Sequence, residues 1–447
     1  MIRPAVSLRA PLVRLVTFAA LVAFAALGGS CSQPPAPGDG PSPGANAAPA
    51  REASQEAGAP AAGAAPPEER PKLSAESFAD GAKAFDAARR ALLTRYVDPT
   101  LTEDRLYAAA VRGMLEYADP KMTKWNALLS PSELAAIQSD LHGELVGIGV
   151  KFEFKPETGY ADVLAVVPRS PADRAGVVAG DRVVTVDGVF YKGKTAADVT
   201  AAIRGKAGET VTLAILREDK MITVPIQRAA FGFDPVASMA LPDGVALVRI
   251  ASFSDTTAAA FRAALDAASA QHARALVLDL RHDPGGLFDA ATACAEALSP
   301  PGSVVVYTKR RDGKEEPEVT KGAQLLAGLP TAILVDEQTA SGAELVTAAL
   351  RASRHASVVG AHTFGKWSVQ KIEELGNGFA MKYTMSVFEA PDHTTYEGTG
   401  LAPDVEVSMD AKQVEKALSI TDPAKRVAAD AQLRTAIALL KARLEGR

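Results

Sequence analysis

Apolar positions along the chain change period three times, and each change marks a different kind of element. Between residues 72 and 143 they recur at helical spacing: Phe78, Phe85, Leu92 and Leu93, then Leu106, Val111, Met114 and Leu115. A third helical stretch, 131–141, opens at Ser130-Pro131-Ser132-Glu133, which combines a capping-box serine and glutamate with proline at the first helical position. From residue 144 the pattern becomes that of short strands. Residues 145–152 read as a loop entering a strand, and 162–167, 182–186, 210–216 and 221–226 as strands. Short capped helices interrupt them at Ser170 and Thr195, and Asp187-Gly188 supplies a turn. Beyond residue 229, apolar strands (275–280, 303–308, 331–335) alternate with helical stretches (287–298, 342–352). This alternation predicts an α/β core with parallel strands. Gly376-Asn377-Gly378 predicts a hairpin joining 367–374 to 379–388, and 411–447 reads as amphipathic helix. The expected fold is a multidomain α/β chain: a helical unit over 72–143, a β-rich module over 144–228, an α/β core over 229–410 and a helical end.

The first 71 residues belong to none of these. Arg3, Arg9 and Arg14 precede an apolar run at 15–27, the pattern of an export signal and short for a membrane span. Leu27-Gly28-Gly29-Ser30-Cys31 places small residues before a cysteine, so Cys31 is a candidate for lipidation and membrane anchoring. Gly28 stands where such sites usually have leucine. Residues 32–71 are rich in Pro, Ala and Gly and read as a tether. The expected location is the cell envelope or periplasm, as a membrane-tethered lipoprotein. Cys294, the other cysteine, lies in an apolar helical stretch and reads as a small buried residue. The net charge of −5, with no long basic block, argues against nucleic acid as a partner.

Three segments carry residues suited to chemistry. Ser341 lies between a buried strand and a helix, where side chains are exposed beside free helix N-terminal amides able to stabilise an oxyanion. Ser341-Gly342-Ala343-Glu344 is also a plain capping box. In 363–370, Lys366 and Gln370 would share one face of a strand, within an apolar setting of Phe364, Trp367 and Val369. A lysine base must lose its charge near neutral pH, which requires burial. Gln370 can orient a neutral amine without restoring its charge. Asp283-Pro284-Gly285-Gly286 follows a buried strand and allows close backbone approach, with an amide directed into a site. No metal or cofactor motif is present, so no cofactor is expected. His282, His355, His362 and His393 suggest a histidine-dependent alternative, but no Ser-His-Asp order is compelling.

Residues 144–228, with SPADRAG and GDRVVTVDG, resemble a PDZ domain. The resemblance implies that Gly147-Ile148-Gly149-Val150 forms a carboxylate-binding loop for peptide C-termini. VLDLRHDPGG, VDEQTASGAE, VVGAHTFGKWSVQ and GTGLAPDVEV then follow in order. This set, spanning residues 74–410, resembles the carboxy-terminal processing peptidases, tail-specific serine proteases of the S41 type, with a crotonase/ClpP-like core. The resemblance implies an endopeptidase acting near exposed C-termini, with Ser341 as nucleophile, Lys366 as base and Gln370 as its orienting residue. The oxyanion donors would be the amides of Gly342 and of Gly285 or Gly286. Protein or peptide substrates are implied, and an adaptor or self-association is possible. Trp367 replaces the family's usual glycine, and His282-Asp283 replaces its paired asparagines. Trp367 is expected either to tighten the desolvation of Lys366 or to narrow the substrate channel. The latter would suit a catalytically impaired peptide-binding scaffold.

Overall fold

The computed structural model describes residues 78–118, 125–167, 169–232 and 234–446. The export-signal run, Cys31, the tether and Asp119-Pro120 lie outside them. The N-terminal unit begins with α1 (Gly81–Arg95) and α2 (Glu103–Ala118). Neither forms a core of its own: α1 buries no residue and α2 only Leu115. Phe78, Phe85 and Leu92, which recur at helical spacing, are exposed. A short strand β1 (Ala127–Leu129) and α3 (Pro131–Leu141) complete the unit. The Ser130–Glu133 capping box forms as expected.

The chain then enters β2 (Glu144–Gly147), a strand where a loop was expected. The PDZ-like module follows: β3 (Val150–Lys155), β4 (Tyr160–Val166), α4 (Pro171–Arg174), β5 (Arg182–Val186), α5 (Ala196–Ile203), β6 (Thr210–Arg217) and β7 (Lys220–Gln227). These strands form one antiparallel sheet in the order β3-β4-β5-β6-β7, which leaves one side of β3 open as an edge. The chain leaves through β8 (Ala229–Gly232), which pairs antiparallel with β2, Glu144 opposite Gly232. The module is therefore an insertion closed at its base by a two-stranded stem.

The α/β core comprises β9 (Val236–Leu241), β10 (Val245–Ile250), α6 (Thr257–Ala270), β11 (Ala275–Asp279), α7 (Phe288–Leu298), β12 (Val304–Lys309), β13 (Glu315–Val319), β14 (Thr331–Val335), α8 (Gly342–Arg354), β15 (Ser357–Gly360), β16 (Ser368–Glu374), β17 (Ala380–Glu389) and β18 (Val405–Glu406). One sheet has the order β18-β15-β14-β11-β10-β9, parallel except for β9. Its alternating side chains divide cleanly. Val248, Leu276, Leu278, Ile333 and Val358 pack with α6, α7 and α8 on one face. Leu247, Val277, Ala332, Leu334 and Val359 pack on the other face against Leu433, Ala436 and Leu440. A second, antiparallel sheet joins β1, β17, β12 and β13, with β16 also on β17. The predicted hairpin is present, Glu374 pairing with Ala380. The C-terminal segment is three helices, α9 (Ala411–Leu418), α10 (Pro423–Ala429) and α11 (Ala431–Glu445), because Asp422-Pro423 and Asp430 each start a new cap. Among the described residues no helix is long and apolar enough to cross a membrane.

Trp367 is fully buried in the main core, its ring 4.8 Å from that of Phe388 and 4.9 Å from that of Tyr396. It therefore fills the fold and neither narrows a channel nor walls the lysine. Replacing so large a buried side chain leaves a cavity, so Trp367→Gly is expected to cost at least about 3–5 kcal/mol without raising activity. Urea unfolding beside a peptidase assay checks this; a gain in turnover would contradict the packing role.

Candidate active site

The loop between β14 and α8 holds Ser341 at φ 55° and ψ −116°, a sparsely populated conformation for a residue with a side chain. Hydrogen bonds on both sides impose it. Ala340 N–H donates to Asp283 O at 2.9 Å, and Ser341 N–H donates to Glu344 Oε2 at 2.8 Å. Ser341 is 5% exposed. Its Cβ would lie 2.8 Å from a methyl placed on Gly285, so this turn tolerates no side chain there. Gly285 has φ 94°, a left-handed value suited to glycine.

Lys366 comes from the opposite side. It precedes β16, which starts at Ser368, and a bulge separates Val369 from Gln370. The simple shared-face alternation expected for Lys366 and Gln370 is thus replaced by a loop followed by a strand. That loop is clamped at Gly365, whose left-handed backbone (φ 85°) sits against Gly400 and Thr399. Gly398 N–H donates to Gly365 O at 2.8 Å, and Thr363 exchanges hydrogen bonds with Leu401. The GTGL motif is the seat of the lysine loop. Lys366 Nζ lies 3.4 Å from Ser341 Oγ and donates to Ser368 O at 3.3 Å. It also stands 5.2 Å from the centroid of the Trp125 ring. The lysine is 4% exposed. Burial, seconded by the charge of Lys382 and opposed by Glu397 and Glu344, brings its amine down to about 8.

Glu344 ties the two halves together. Its buried carboxylate accepts from Ser341 N–H, from Lys366 N–H and Gly365 N–H at 2.9 Å each, and from the Thr363 hydroxyl. Burial raises its pKa, while these donors work in the other direction. Gln370 makes no side-chain hydrogen bond to Lys366: its Nε2 reaches Ser368 Oγ at 3.1 Å and Thr384 Oγ1 at 3.4 Å. Its Oε1 is buried without a hydrogen-bond partner.

The glycine turn also separates into roles. Gly285 N–H is committed to Asp283 Oδ1 at 2.8 Å. Gly286 N–H and Gly342 N–H have no acceptor among the described residues. Asp283 is fully buried and its carboxyl is raised well above the usual range, chiefly by burial. No imidazole among the described residues hydrogen-bonds Ser341; His282 pairs with Asp336 and His393 with Glu315. Cys294 is buried with a free thiol.

Trp125, Glu344, Ser368 and Thr384 were missed as parts of this site. Only Glu344 had a local signal, its capping-box position. Ser368 lies two positions from Lys366 in the segment already singled out, whereas Trp125 and Thr384 reach the dyad through chain entry and sheet pairing, which spacing does not encode.

The profile of Peptidase family S41 matches residues 244–407, and that of a PDZ domain residues 163–217. A carboxyl-terminal-processing protease of Picosynechococcus is 32% identical over 311 residues, covering 68% of this chain and 74% of its own length. One from Synechocystis is 31% identical over 356 residues, covering 78% of this chain and 80% of the relative. The chain belongs to peptidase family S41. This S41 protein is a serine-type C-terminal processing peptidase whose PDZ domain recognises the C-terminal peptides of its substrates. Its architecture is also that of a putative S41 protease from Bacteroides fragilis, with TM-score 0.54, 17% identity, and coverage of 84% of this chain and 99% of that one.

Proposed function

We propose that Ser341 is the nucleophile of this S41 peptidase and Lys366 its general base. The observation that carries the reading is a buried amine 3.4 Å from Ser341 Oγ, with no carboxylate in ion-pair contact among the described residues. The neutral lysine takes the hydroxyl proton as Ser341 attacks the scissile carbonyl. The same proton then passes to the departing amine, leaving an acyl-enzyme that water hydrolyses by the reverse sequence. The amides of Gly342 and Gly286 are the donors left over to receive the oxyanion, Gly285 N–H being bound to Asp283. Gln370 holds Ser368 and Thr384, and its unfilled Oε1 is the acceptor available to the lysine during turnover.

Substrate tails are read at Gly147-Ile148-Gly149-Val150. The open edge of β3 supports this, since an extended peptide can add there as a further strand. Ile148 itself is buried in the module's core, so the loop would act through its backbone. Amidating a substrate's C-terminal carboxylate is expected to raise KM about tenfold or more with little change in kcat. Equal kinetics for free-acid and amidated peptides would remove carboxylate capture.

The same reading places the protein in the cell envelope, lipidated at Cys31 and standing off the membrane on residues 32–71; the sequence pattern at 1–31 supports this. Cells fed a labelled fatty acid are expected to label the wild type and not Cys31→Ala; labelling of both would remove the anchor. Exposed Phe85, Leu92 and Met114 on α1 and α2 support self-association or an adaptor at that end.

A further inference from the structure

The N-terminal unit reaches the dyad through Trp125. Asn126 follows it, and Ala127 begins β1, which pairs antiparallel with β17. Asn126 Oδ1 accepts from Thr384 N–H at 2.9 Å and from the Thr384 hydroxyl at 3.3 Å, which pins the chain to β17 at the position opposite Gln370. This delivers the indole to the lysine loop. Trp125 is 4% exposed, and its ring meets that of Phe364 edge-on, with centroids 5.9 Å apart and planes at 68°. Phe364 is itself fixed to the serine loop, its N–H donating to Thr339 O at 2.9 Å. Lys366 Nζ lies over the indole, 5.2 Å from its centroid, inside the range at which a ring face attracts a cation.

We propose that the indole face of Trp125 stabilises the ammonium that Lys366 becomes when it takes the proton of Ser341. This rests on Lys366 being the base. As Oγ attacks the carbonyl, the O–H bond breaks, its proton bonds to Nζ, and a positive charge appears on Nζ. Ser341, Lys366 and Trp125 are each no more than 5% exposed, so solvent does little to meet that charge. The hydrogen-bond partners of Nζ are Ser341 Oγ and Ser368 O. Oγ is bonding to carbon in the same step, which leaves one carbonyl. The charged groups around the lysine do not replace it. Glu344 on α8 already accepts from the four donors described above, Glu397 after β17 accepts from Trp367 N–H at 2.6 Å, and Lys382 on β17 is of like sign. A carboxylate in the place of the indole would hold Lys366 charged at rest. A ring face attracts the cation more weakly, so the resting amine still loses its proton near pH 8 while the transient ammonium gains a partner.

The test is the pH dependence of kcat/KM for the full chain made with tryptophans bearing successively more fluorine on the indole. Fluorine draws electron density from the ring face and changes its shape little, so it weakens the attraction for a cation and leaves the packing in place. A less favoured ammonium gives up its proton more readily. The acid limb is therefore expected to move down by up to about one pH unit across the series. The plateau above the limb should fall about threefold, since the proton is only partly transferred in the transition state. The chain has two tryptophans, so Trp367 carries the analogue as well; Trp125→Leu carries it at Trp367 alone and reports what comes from there. Should that variant not fold, insertion of the analogue at position 125 alone by nonsense suppression makes the same comparison. A ring that only excludes water gives a different result: an unmoved limb and plateau across the series, or a limb that moves up, overturns the proposal. Failure of the base assignment is separate from this, because Lys366→Ala would then retain activity, whereas an inactive Lys366→Ala beside a flat fluorine series removes the role of the ring alone.

Discussion

Lys366→Ala is expected to lower kcat/KM by about 10³-fold or more while leaving the protein at least as stable as wild type. Both halves follow from the same burial. Nothing else among the described residues offers Ser341 Oγ a base: its only side-chain hydrogen-bond partner is Lys366 Nζ at 3.4 Å. Removing it leaves the hydroxyl at its ordinary reactivity. The ammonium form of Lys366 is itself a cost to folding, being 4% exposed with only a serine oxygen and one carbonyl to bind. Alanine removes that cost at the price of a small cavity. Lys366→Arg is expected to be as inactive as the alanine variant, since a guanidinium does not lose its proton in the working range. The pH profile carries the sign. The competent form is deprotonated and the amine sits at about 8, so kcat/KM should rise tenfold per pH unit below that value and level off above it. A profile falling through the same range, or Lys366→Ala within tenfold of wild type, would remove the lysine from the mechanism.

How this site could be read before any coordinates, and where the reading ran out, has a physical reason in each case. Ser341, Lys366, Gly285 and Gly286 sit in short motifs whose local composition already limits them: a strand end, a helix start, a turn without side chains. The architecture was legible for a similar reason, since the buried parallel strands are runs of five apolar or nearly apolar residues. Trp367 misled because its neighbour in sequence is the base, whereas a residue next to Lys366 points the opposite way and enters the core. Trp125, which does face the lysine, is 241 positions away in the chain. The apolar setting read from Phe364, Trp367 and Val369 was incomplete, because Glu344 and Glu397 approach Lys366 from α8 and from the loop after β17. The helical spacing of Phe78, Phe85 and Leu92 is real, yet that face of the helix is exposed. Periodicity reports that a face is apolar and says nothing of what covers it.

A large stability effect should also come from a residue remote from the site in sequence. Arg281, Asp279 and Asp430 are all fully buried. Arg281 binds Asp279 through Nε and Nη2 at 2.8 and 2.6 Å, and Asp430 through Nη1 and Nη2 at 3.0 and 2.8 Å. Arg426 from α10 adds a second cation, 3.3 Å from Asp279. Two carboxylates thus balance two guanidinium groups, and Arg281 directly precedes the His282–Gly286 turn beside Ser341. Asp430→Ala breaks the balance, leaving a buried guanidinium half-paired, and it also removes the cap that Leu433 N–H donates to at 2.9 Å. The expected cost is about 3–5 kcal/mol, against about 1 kcal/mol for Asp410→Ala, which removes only the exposed cap of α9. Urea unfolding of both variants makes the comparison; equal losses would mean that the buried pair adds nothing beyond a cap. Acid titration gives a second handle. Burial works to raise Asp279, but Arg281 and its neighbours outweigh it and hold the carboxyl at about 2, below its ordinary 3.8. A depressed carboxyl stabilises the fold above its unfolded pKa, and that contribution is lost as pH falls through the folded value. The wild type should therefore lose this stabilisation between about pH 4 and pH 2. Asp430→Ala leaves Arg281 more available to Asp279, so its loss should begin no higher in pH even though the whole protein is weaker. The C-terminal helices, on this argument, are what lets a buried arginine hold the glycine turn in place.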